Sequence, residues 1–357
     1  MAYKYNMDIV AINAENANGA QPTTRERREE IEKSTLSQLA VLASASRGRA
    51  VTEPECELRT CFQRDADRLT HSKSFRRLIH KTQVFLNPEG DHYRTRLTHT
   101  LEVSRIARTI SRALGLNEDL TEAIAIGHDL GHTPFGHAGE RALNEIMSGA
   151  GGFRHNEQSL RVVDRLEKNG RGLNLSYETR DGILKHTGRE MPETLEGRVV
   201  RLSDRAAYLN HDLDDALRAG ILTPDDVPPE IVCAFGDSVT QRVNTIVRDI
   251  IEESARAGDI AMSAELRFAF ESFYSFMFER LYMNVRAKSE ETKVFGILNG
   301  IFGYYADNPE KLPEDYKAVA ETDGLMRAVS DYVSGMTDSY AISEHERLFI
   351  PGAWKLR

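Results

Sequence analysis

The apolar residues of this 357-residue chain recur at the spacing of α-helices, and this period restricts the fold more than any other feature. Between residues 103 and 114 they fall at i, i+3, i+4, i+7 and i+11, and Gly115 follows where a helix is expected to end. Residues 199–219 also favour a helix. Residues 264–283 carry seven aromatic side chains without the alternation of a strand, which predicts a helix buried in a core or between subunits. We therefore predict an all-α fold, with residues 81–86 as the one short strand candidate.

The composition restricts the compartment and the class of partner. A formal net charge of -9 and a pI near 5.7 argue against a protein that coats nucleic acid, although a local basic groove is compatible with them. The three cysteines show neither a Cys-x-x-Cys spacing nor an even framework, which is typical of reduced thiols. The chain shows no signal-peptide pattern and no run of roughly 18 apolar residues. We expect a cytoplasmic protein with no membrane partner.

Composition shifts suggest three segments along the chain. Residues 1–50 are polar and charged, and we predict an N-terminal arm with one helix. Residues 51–225 hold all but one of the eleven histidines and form the predicted catalytic core. Beyond Pro228-Pro229, charged and aromatic residues replace the histidines, so residues 226–357 are predicted to be a C-terminal helical region.

The segment from residue 128 to residue 140 concentrates side chains that bind metals. It reads His128-Asp129-Leu-Gly-His132-Thr-Pro-Phe-Gly-His137-Ala-Gly-Glu140. Imidazole and carboxylate ligands together suit a divalent metal, and such a centre activates water or acts on phosphates. A His-Asp pair alone occurs by chance in many chains, so the signal lies in the residues around it.

Two further predicted helices offer inward-facing ligands. His99 lies on the buried stripe of its helix, where a histidine on its own would more often be a core residue. Asp204, Tyr208 and Asp212 recur at i, i+4 and i+8 within an apolar stretch. A buried carboxylate is costly unless it is paired or bound to a metal. Together with the His-Asp pair, these residues predict a metal site assembled from three helices.

Longer motifs accompany this order of ligands. They are Arg64-Asp-x-Asp-Arg-x-x-His-Ser-Lys73, Phe75-Arg-Arg-Leu-x-His-Lys-Thr-Gln-Val-Phe85, Arg96-Leu-Thr-His99, the segment 128–140, Gly151-Gly-Phe-Arg-His-Asn156, Asp204-Arg-x-x-Tyr-x-Asn-His-Asp212 and, more weakly, Gly335-Met-Thr-Asp-x-Tyr340. The order His…His-Asp…Asp resembles the HD-domain metal-dependent phosphohydrolases. The longer motifs resemble one group of them, the dGTPase-like deoxynucleoside-triphosphate triphosphohydrolases. The resemblance covers most of the chain from about residue 25, and no ligand position is replaced.

The resemblance implies an HD-domain helical fold with additional C-terminal helices, and a reaction. The residues that match the four metal ligands are His99, His128, Asp129 and Asp204. The expected ion is Mg²⁺ or Mn²⁺, with other transition metals as alternatives. The implied reaction is hydrolysis of dGTP or of several dNTPs at the α-phosphorus, which releases the deoxynucleoside and tripolyphosphate.

The resemblance also implies roles in proton transfer and substrate binding. His137 matches the catalytic histidine, which we favour as a general acid over a nucleophile, and Glu140 would hold its other ring nitrogen. His155 matches a further catalytic or phosphate-contacting position. The matches to phosphate-binding positions are Arg96, His132 and Arg205. The matches to positions that contact the deoxyribose are Gln83, Tyr208 and Asp212, where a tyrosine ring under C2′ would exclude a 2′-hydroxyl.

Two other functions compete with this interpretation. One is an HD-family nucleotidase or phosphodiesterase, against which the sugar and phosphate matches argue. The other is a nucleotide-sensing oligomer with vestigial activity, against which the intact His137 and Glu140 argue. The resemblance and the aromatic residues at 264–283 predict a homo-oligomer, a tetramer or hexamer. A dNTP effector is a further partner to consider, and nucleic acid is not indicated.

Overall fold

The computed structural model describes residues 22–83, 94–282 and 285–352. These residues form α-helices and short 3₁₀ and π turns without a β-strand, which confirms the all-α fold class. The strand candidate at 81–86 is wrong over its described part, because Thr82 forms only a single bridge to Thr95. Residues 84–86 lie outside the described residues, as do residues 1–21 of the predicted arm.

Many of the helices begin at a Ser, Thr or Asn whose side chain accepts a hydrogen bond from a backbone N–H of the first turn. The α-helices are, in chain order, α1 (Thr24–Thr35), α2 (Cys61–Thr70), α3 (Lys73–Arg77), α4 (Arg96–Ala113), α5 (Glu118–Gly127), α6 (Gly136–Ile146), α7 (His155–Arg161), α8 (Glu167–Gly170), α9 (Tyr177–Lys185), α10 (Leu195–Arg218), α11 (Pro229–Phe235), α12 (Val239–Ala257), α13 (Ala264–Met277), α14 (Val285–Asp307), α15 (Glu314–Asp323), α16 (Leu325–Ser334) and α17 (Asp338–Phe349). None of the described helices is both long and apolar enough to cross a membrane.

Helices α4, α5 and α10 form the centre of the largest apolar cluster, and α12 and α13 extend it. Its fully buried side chains include Val103, Ile110, Leu120, Ile124, Val199, Leu213, Ile246, Phe270 and Phe273. Burial of one such side chain contributes roughly 1.5–3 kcal/mol. His99 and Asp204 project from α4 and α10 of this cluster, so close packing fixes the backbones that carry them.

The C-terminal helices pack around α6 in a second apolar cluster. Its members on α6, α14 and α16 include Leu143, Leu298, Ile301, Val329 and Val333. Asp338, the first residue of α17, accepts hydrogen bonds from the Thr82 hydroxyl at 2.6 Å and from the Phe135 backbone N–H at 2.9 Å. The last third of the chain therefore supports the loop that precedes α6. The division of the chain at residues 50 and 225 stays a prediction.

The aromatic segment at 264–283 is helical, as predicted. It forms α13 and continues into a π turn at Phe278–Tyr282, and residue 283 lies outside the described residues. Phe270 and Phe273 are buried in the first cluster, whereas Phe268 is 78% exposed and Phe278 is 44% exposed. The helix therefore contributes to the core and also leaves aromatic surface uncovered.

Candidate functional site

Three parts of the chain bring the four predicted metal ligands together. His99 comes from α4, His128 and Asp129 follow directly after α5, and Asp204 comes from α10. His99 Nε2 lies 2.9 Å from Asp204 Oδ1. His128 Nε2 lies 3.7 Å from the same oxygen and 3.6 Å from Asp129 Oδ1. Ligand atoms of His99, His128 and Asp129 all lie within 4.8 Å of one another.

The sequence predicts a metal site assembled from three helices, whereas the structure places the pair His128 and Asp129 directly after the end of α5. Helix α5 ends at Gly127, and the chain then turns, with the His132 N–H donating to the Asp129 carbonyl at 3.1 Å. Gly131 explains the turn, because a Cβ there would lie 2.1 Å from the Ser159 backbone nitrogen. Only glycine permits this close approach to α7.

The His128 ring shows that these residues fit a divalent cation. Its Nδ1 lies 2.7 Å from the Ala125 carbonyl oxygen, so Nδ1 carries the proton and Nε2 presents a lone pair. That Nε2 is buried and has no hydrogen-bond partner, although two carboxylates face it. A cation would be stabilised between this lone pair and the carboxylates. Imidazole nitrogen and carboxylate oxygen are also ligands that divalent metals commonly use in proteins.

Both carboxylates of the cluster are held ionised. Burial raises the pKa of Asp129, but neighbouring His128 and Arg96 outweigh it and hold that pKa well below its ordinary value. Arg96 Nη1 donates to Asp129 Oδ2 at 2.8 Å, and both side chains are buried. Burial alone would raise the pKa of Asp204, but the hydrogen bond from His99 and the neighbouring His128 ring outweigh it and lower that pKa to about 2.

A second group of side chains extends from this cluster along α6 and α7. The rings of His132 and His155 stack with their centres 4.3 Å apart, and those of His132 and His137 lie 5.4 Å apart. Phe135 adopts φ 63°, a left-handed conformation uncommon for a residue other than glycine. Such strained backbone often accompanies functional sites, and here it aims α6 so that His137 faces His132.

Glu140 has a closer partner than the one predicted. Its Oε2 lies 3.4 Å from His137 Nδ1, but its Oε1 lies 2.8 Å from His155 Nδ1 and accepts the His155 backbone N–H at 2.8 Å. These bonds outweigh burial and hold the pKa of Glu140 well below its ordinary value. His137 remains exposed, with 61% of its side chain accessible to solvent.

The predicted phosphate-binding residues differ in their surroundings. Arg96 is buried, and its Nε and Nη2 have no partner. His132 is also buried with an unpartnered Nδ1, and burial and the charge of Arg96 lower its pKa. Arg205 donates to Glu271 at 2.9 Å and lies over the Phe270 ring.

The predicted sugar-contacting residues lie on α10 and beside α4. Tyr208 and Asp212 follow Asp204 on α10, roughly 6 Å and 12 Å along the helix axis. Asp212 is buried, and the Tyr208 ring meets the Tyr274 ring edge-on at 6.5 Å. Gln83 is nearly buried, and its amide oxygen has no partner.

The sequence analysis did not predict two buried residues of the site, His186 and Lys81. His186, at the end of α9, has its ring centre 5.0 Å from that of His128 and 5.2 Å from that of His155. Lys81 donates from Nζ to the backbone carbonyls of His132 and Ser334. His186 belongs to the histidine-rich part of the chain, which was a usable signal, whereas nothing in the spacing of Lys81 indicates burial.

The chain is similar to known families and to individual relatives over most of its length. Residues 96–209 match the HD domain, and residues 260–347 match the phosphohydrolase-associated domain. A deoxyguanosinetriphosphate triphosphohydrolase-like protein of Caldanaerobacter subterraneus subsp. tengcongensis is 53% identical over 330 residues, covering 92% of this chain and 97% of the relative. A protein of the same description from Clostridium perfringens is 47% identical over 336 residues, covering 92% and 98%. One from Desulfatibacillum aliphaticivorans is 45% identical over 348 residues, covering 92% and 99%.

Proposed function

The chain belongs to the HD-domain family of deoxyguanosinetriphosphate triphosphohydrolase-like proteins, and on that premise we propose that it hydrolyses deoxynucleoside triphosphates at the α-phosphorus. Family membership makes it an HD phosphohydrolase, and the substrate and the bond cleaved are the proposal. The observation that carries it is the cluster of His99, His128, Asp129 and Asp204, which lies beside a buried arginine whose Nε and Nη2 have no partner.

The four clustered residues would hold a divalent ion, Mg²⁺ or Mn²⁺. Such an ion, when bound, lowers the pKa of its water and neutralises charge on the phosphoryl oxygens. Asp129 and Asp204 are already ionised, so binding requires no loss of a proton from either carboxyl. The Ala125 carbonyl orients the His128 ring, and Arg96 orients Asp129.

The triphosphate would be bound by the donors beside the cluster. Arg96 uses Nη1 for Asp129 and keeps Nε and Nη2 for phosphate oxygens. Because Arg96 is buried, its charge is poorly screened and acts strongly on developing negative charge. His132 would add a neutral donor. Arg205, now paired with Glu271, would exchange that exposed carboxylate for a phosphate.

The 5′-oxygen of the deoxynucleoside is a poor leaving group and requires a proton. The exposed His137 faces the site while its Nδ1 lies near the ionised Glu140, which favours a proton on Nδ1 and leaves Nε2 to exchange protons with the leaving oxygen. We propose His137 as the general acid. His155 shares Glu140 and would contribute to catalysis beside it.

Selection of the sugar would fall to the residues around α10. Tyr208 would pack under C2′ and leave no room for a 2′-hydroxyl. Asp212, one turn further, would accept a hydrogen bond from the 3′-hydroxyl, and Gln83 would complete the contact with its unpartnered amide oxygen. Deoxyribonucleotides would therefore be hydrolysed in preference to ribonucleotides.

The test is an analysis of products. Purified protein is incubated with each dNTP and each matching ribonucleotide in the presence of Mg²⁺ or Mn²⁺, and the products are separated by anion-exchange chromatography. We expect deoxynucleoside and tripolyphosphate in equal amounts from at least one dNTP, slower turnover of ribonucleotides, and no turnover by Asp129→Ala. Release of a deoxynucleoside monophosphate with pyrophosphate, or of orthophosphate, would overturn the proposal.

A further inference from the structure

Two histidine rings meet beside the candidate metal cluster in an arrangement that the proposed function leaves unexplained. His155 Nε2 lies 3.1 Å from His186 Nε2. The two rings come from different helices, His155 from the first turn of α7 and His186 from the residue after α9. His186 is only 2% exposed, and the His155 side chain is 14% exposed.

The partners of the other ring nitrogens decide where the protons are. His155 Nδ1 lies 2.8 Å from Glu140 Oε1, a carboxylate oxygen that can only accept. His186 Nδ1 lies 2.8 Å from the Ile183 carbonyl oxygen, which also only accepts. Both Nδ1 atoms therefore carry a hydrogen, and in each neutral ring Nε2 presents a lone pair. Two lone pairs that face each other at 3.1 Å repel unless a cation or an added proton is shared between the rings.

A third ligand atom lies within reach of both lone pairs. One oxygen of Asp129, His155 Nε2 and His186 Nε2 form a group in which all ligand atoms lie within 4.8 Å of one another. Asp129 also belongs to the group with His99 and His128. One ionised carboxylate therefore joins two adjacent sets of imidazole ligands, and carboxylates commonly bridge paired metal ions.

We propose that Asp129, His155 and His186 form a second divalent-metal site, so that the chain holds two ions joined by Asp129. The inference goes beyond the proposed function, because protein ligands alone define the site and no substrate enters the argument. It also gives His155 a different role from phosphate contact. Two imidazole nitrogens favour a first-row transition ion over Mg²⁺, which prefers oxygen ligands. Two-metal sites place one ion on each side of a phosphoryl transfer.

The experiment counts ions without nucleotide present. The wild-type protein is stripped of metal, saturated with Mn²⁺ and freed of unbound ion by gel filtration, and Mn²⁺ per chain is measured by elemental analysis. We expect two ions per chain in the wild type and one in His186→Ala. His71→Ala, which removes an exposed histidine outside the site, is the matched control and should retain two.

Electron paramagnetic resonance of the same samples adds an independent signature. Two Mn²⁺ ions joined by a carboxylate should give a spin-coupled spectrum, and His186→Ala should return it to the six-line spectrum of an isolated ion. A wild-type count of one ion or fewer would overturn the proposal and leave a shared proton as the occupant. Two ions in a folded His186→Ala would overturn it as well. If that variant does not fold, the wild-type count and spectrum decide alone.

Discussion

The chemistry of the candidate site depends on which ring nitrogen of each histidine carries its proton. Backbone carbonyls fix this for His128 and His186, and the Glu140 carboxylate fixes it for His155. Each of these rings therefore presents a lone pair to the interior of the site, which suits a ligand of a metal and not a donor to phosphate. His137 differs from these three rings, because it is exposed and can exchange protons with solvent.

Substitution should separate metal binding from proton transfer at single residues. Asp129→Ala should abolish both metal retention and activity, because it removes a carboxylate from the centre of the cluster. His137→Ala should reduce kcat by ~10²–10⁴-fold with little change in metal content, as is usual when a general acid is lost. Elemental analysis and steady-state kinetics on the same preparations measure both effects. Loss of metal from His137→Ala equal to that from Asp129→Ala would refute its role as the acid.

The buried Lys81 should make stability depend on pH. Burial, with the nearby charge of Arg77, lowers the pKa of Lys81 from its ordinary value of 10.5 to about 7. Between these values the unfolded chain holds a proton that the native state has lost, so this group's contribution to the free energy of unfolding rises with pH. Relative to Lys81→Met, the wild type should gain roughly 2 kcal/mol of stability between pH 7 and pH 9.

Denaturant titration of both proteins at the two pH values measures this difference, since groups that do not interact with Lys81 contribute equally to both proteins. A constant difference between wild type and Lys81→Met would mean that Lys81 keeps an ordinary pKa in the native state.

At the scale of helices, periodic segments were predictable and the turns between them were not. The apolar period located α4, and residues 199–219 and the aromatic segment 264–283 were correctly predicted as the helices α10 and α13; each of the three buries one face in the first cluster. The turn that follows α5 depends on two contacts. Gly131 packs closely against the backbone of Ser159, and the Phe135 backbone N–H donates a hydrogen bond to Asp338. Those partners are distant in sequence, so no local pattern reveals them.

The prediction that the protein is an oligomer rests on the aromatic residues of helix α13. Phe270 and Phe273 face the core, whereas Phe268 presents its ring to solvent with 78% exposed. We expect this exposed ring to lie in a contact between copies of the chain. Phe268→Ser should therefore shift the assembly, predicted to be a tetramer or hexamer, toward smaller species.

Light scattering at micromolar concentration, with and without dNTPs, measures the assembly. Leu39→Ser is the control, because it removes an exposed apolar side chain from a loop far from α13 in the sequence. A wild-type monomer that hydrolyses dNTPs at full rate would contradict the expected oligomer.

At the scale of the whole molecule, the candidate site lies where the first and last parts of the chain meet. Lys81 and Thr82 come from the segment before α4 and bind Ser334 and Asp338 near the C-terminus. The predicted ligands could be found from sequence because they lie in compact motifs. His186 and Lys81 were not predicted, because only the folded chain brings them to the site. The one sequence signal for His186 is its place in the histidine-rich part of the chain, and nothing in the spacing of Lys81 indicates burial.

The central claim, hydrolysis at the α-phosphorus by this site, is tested most directly with isotopic water. The reaction is run in H₂¹⁸O with the dNTP that turns over fastest, and the products are analysed by mass spectrometry, with Asp129→Ala as the control for exchange without catalysis. We predict one ¹⁸O atom in each tripolyphosphate and none in the deoxynucleoside, because water attacks phosphorus and the 5′-oxygen leaves with the sugar. Label in the deoxynucleoside, in a deoxynucleoside monophosphate or in orthophosphate would contradict the account.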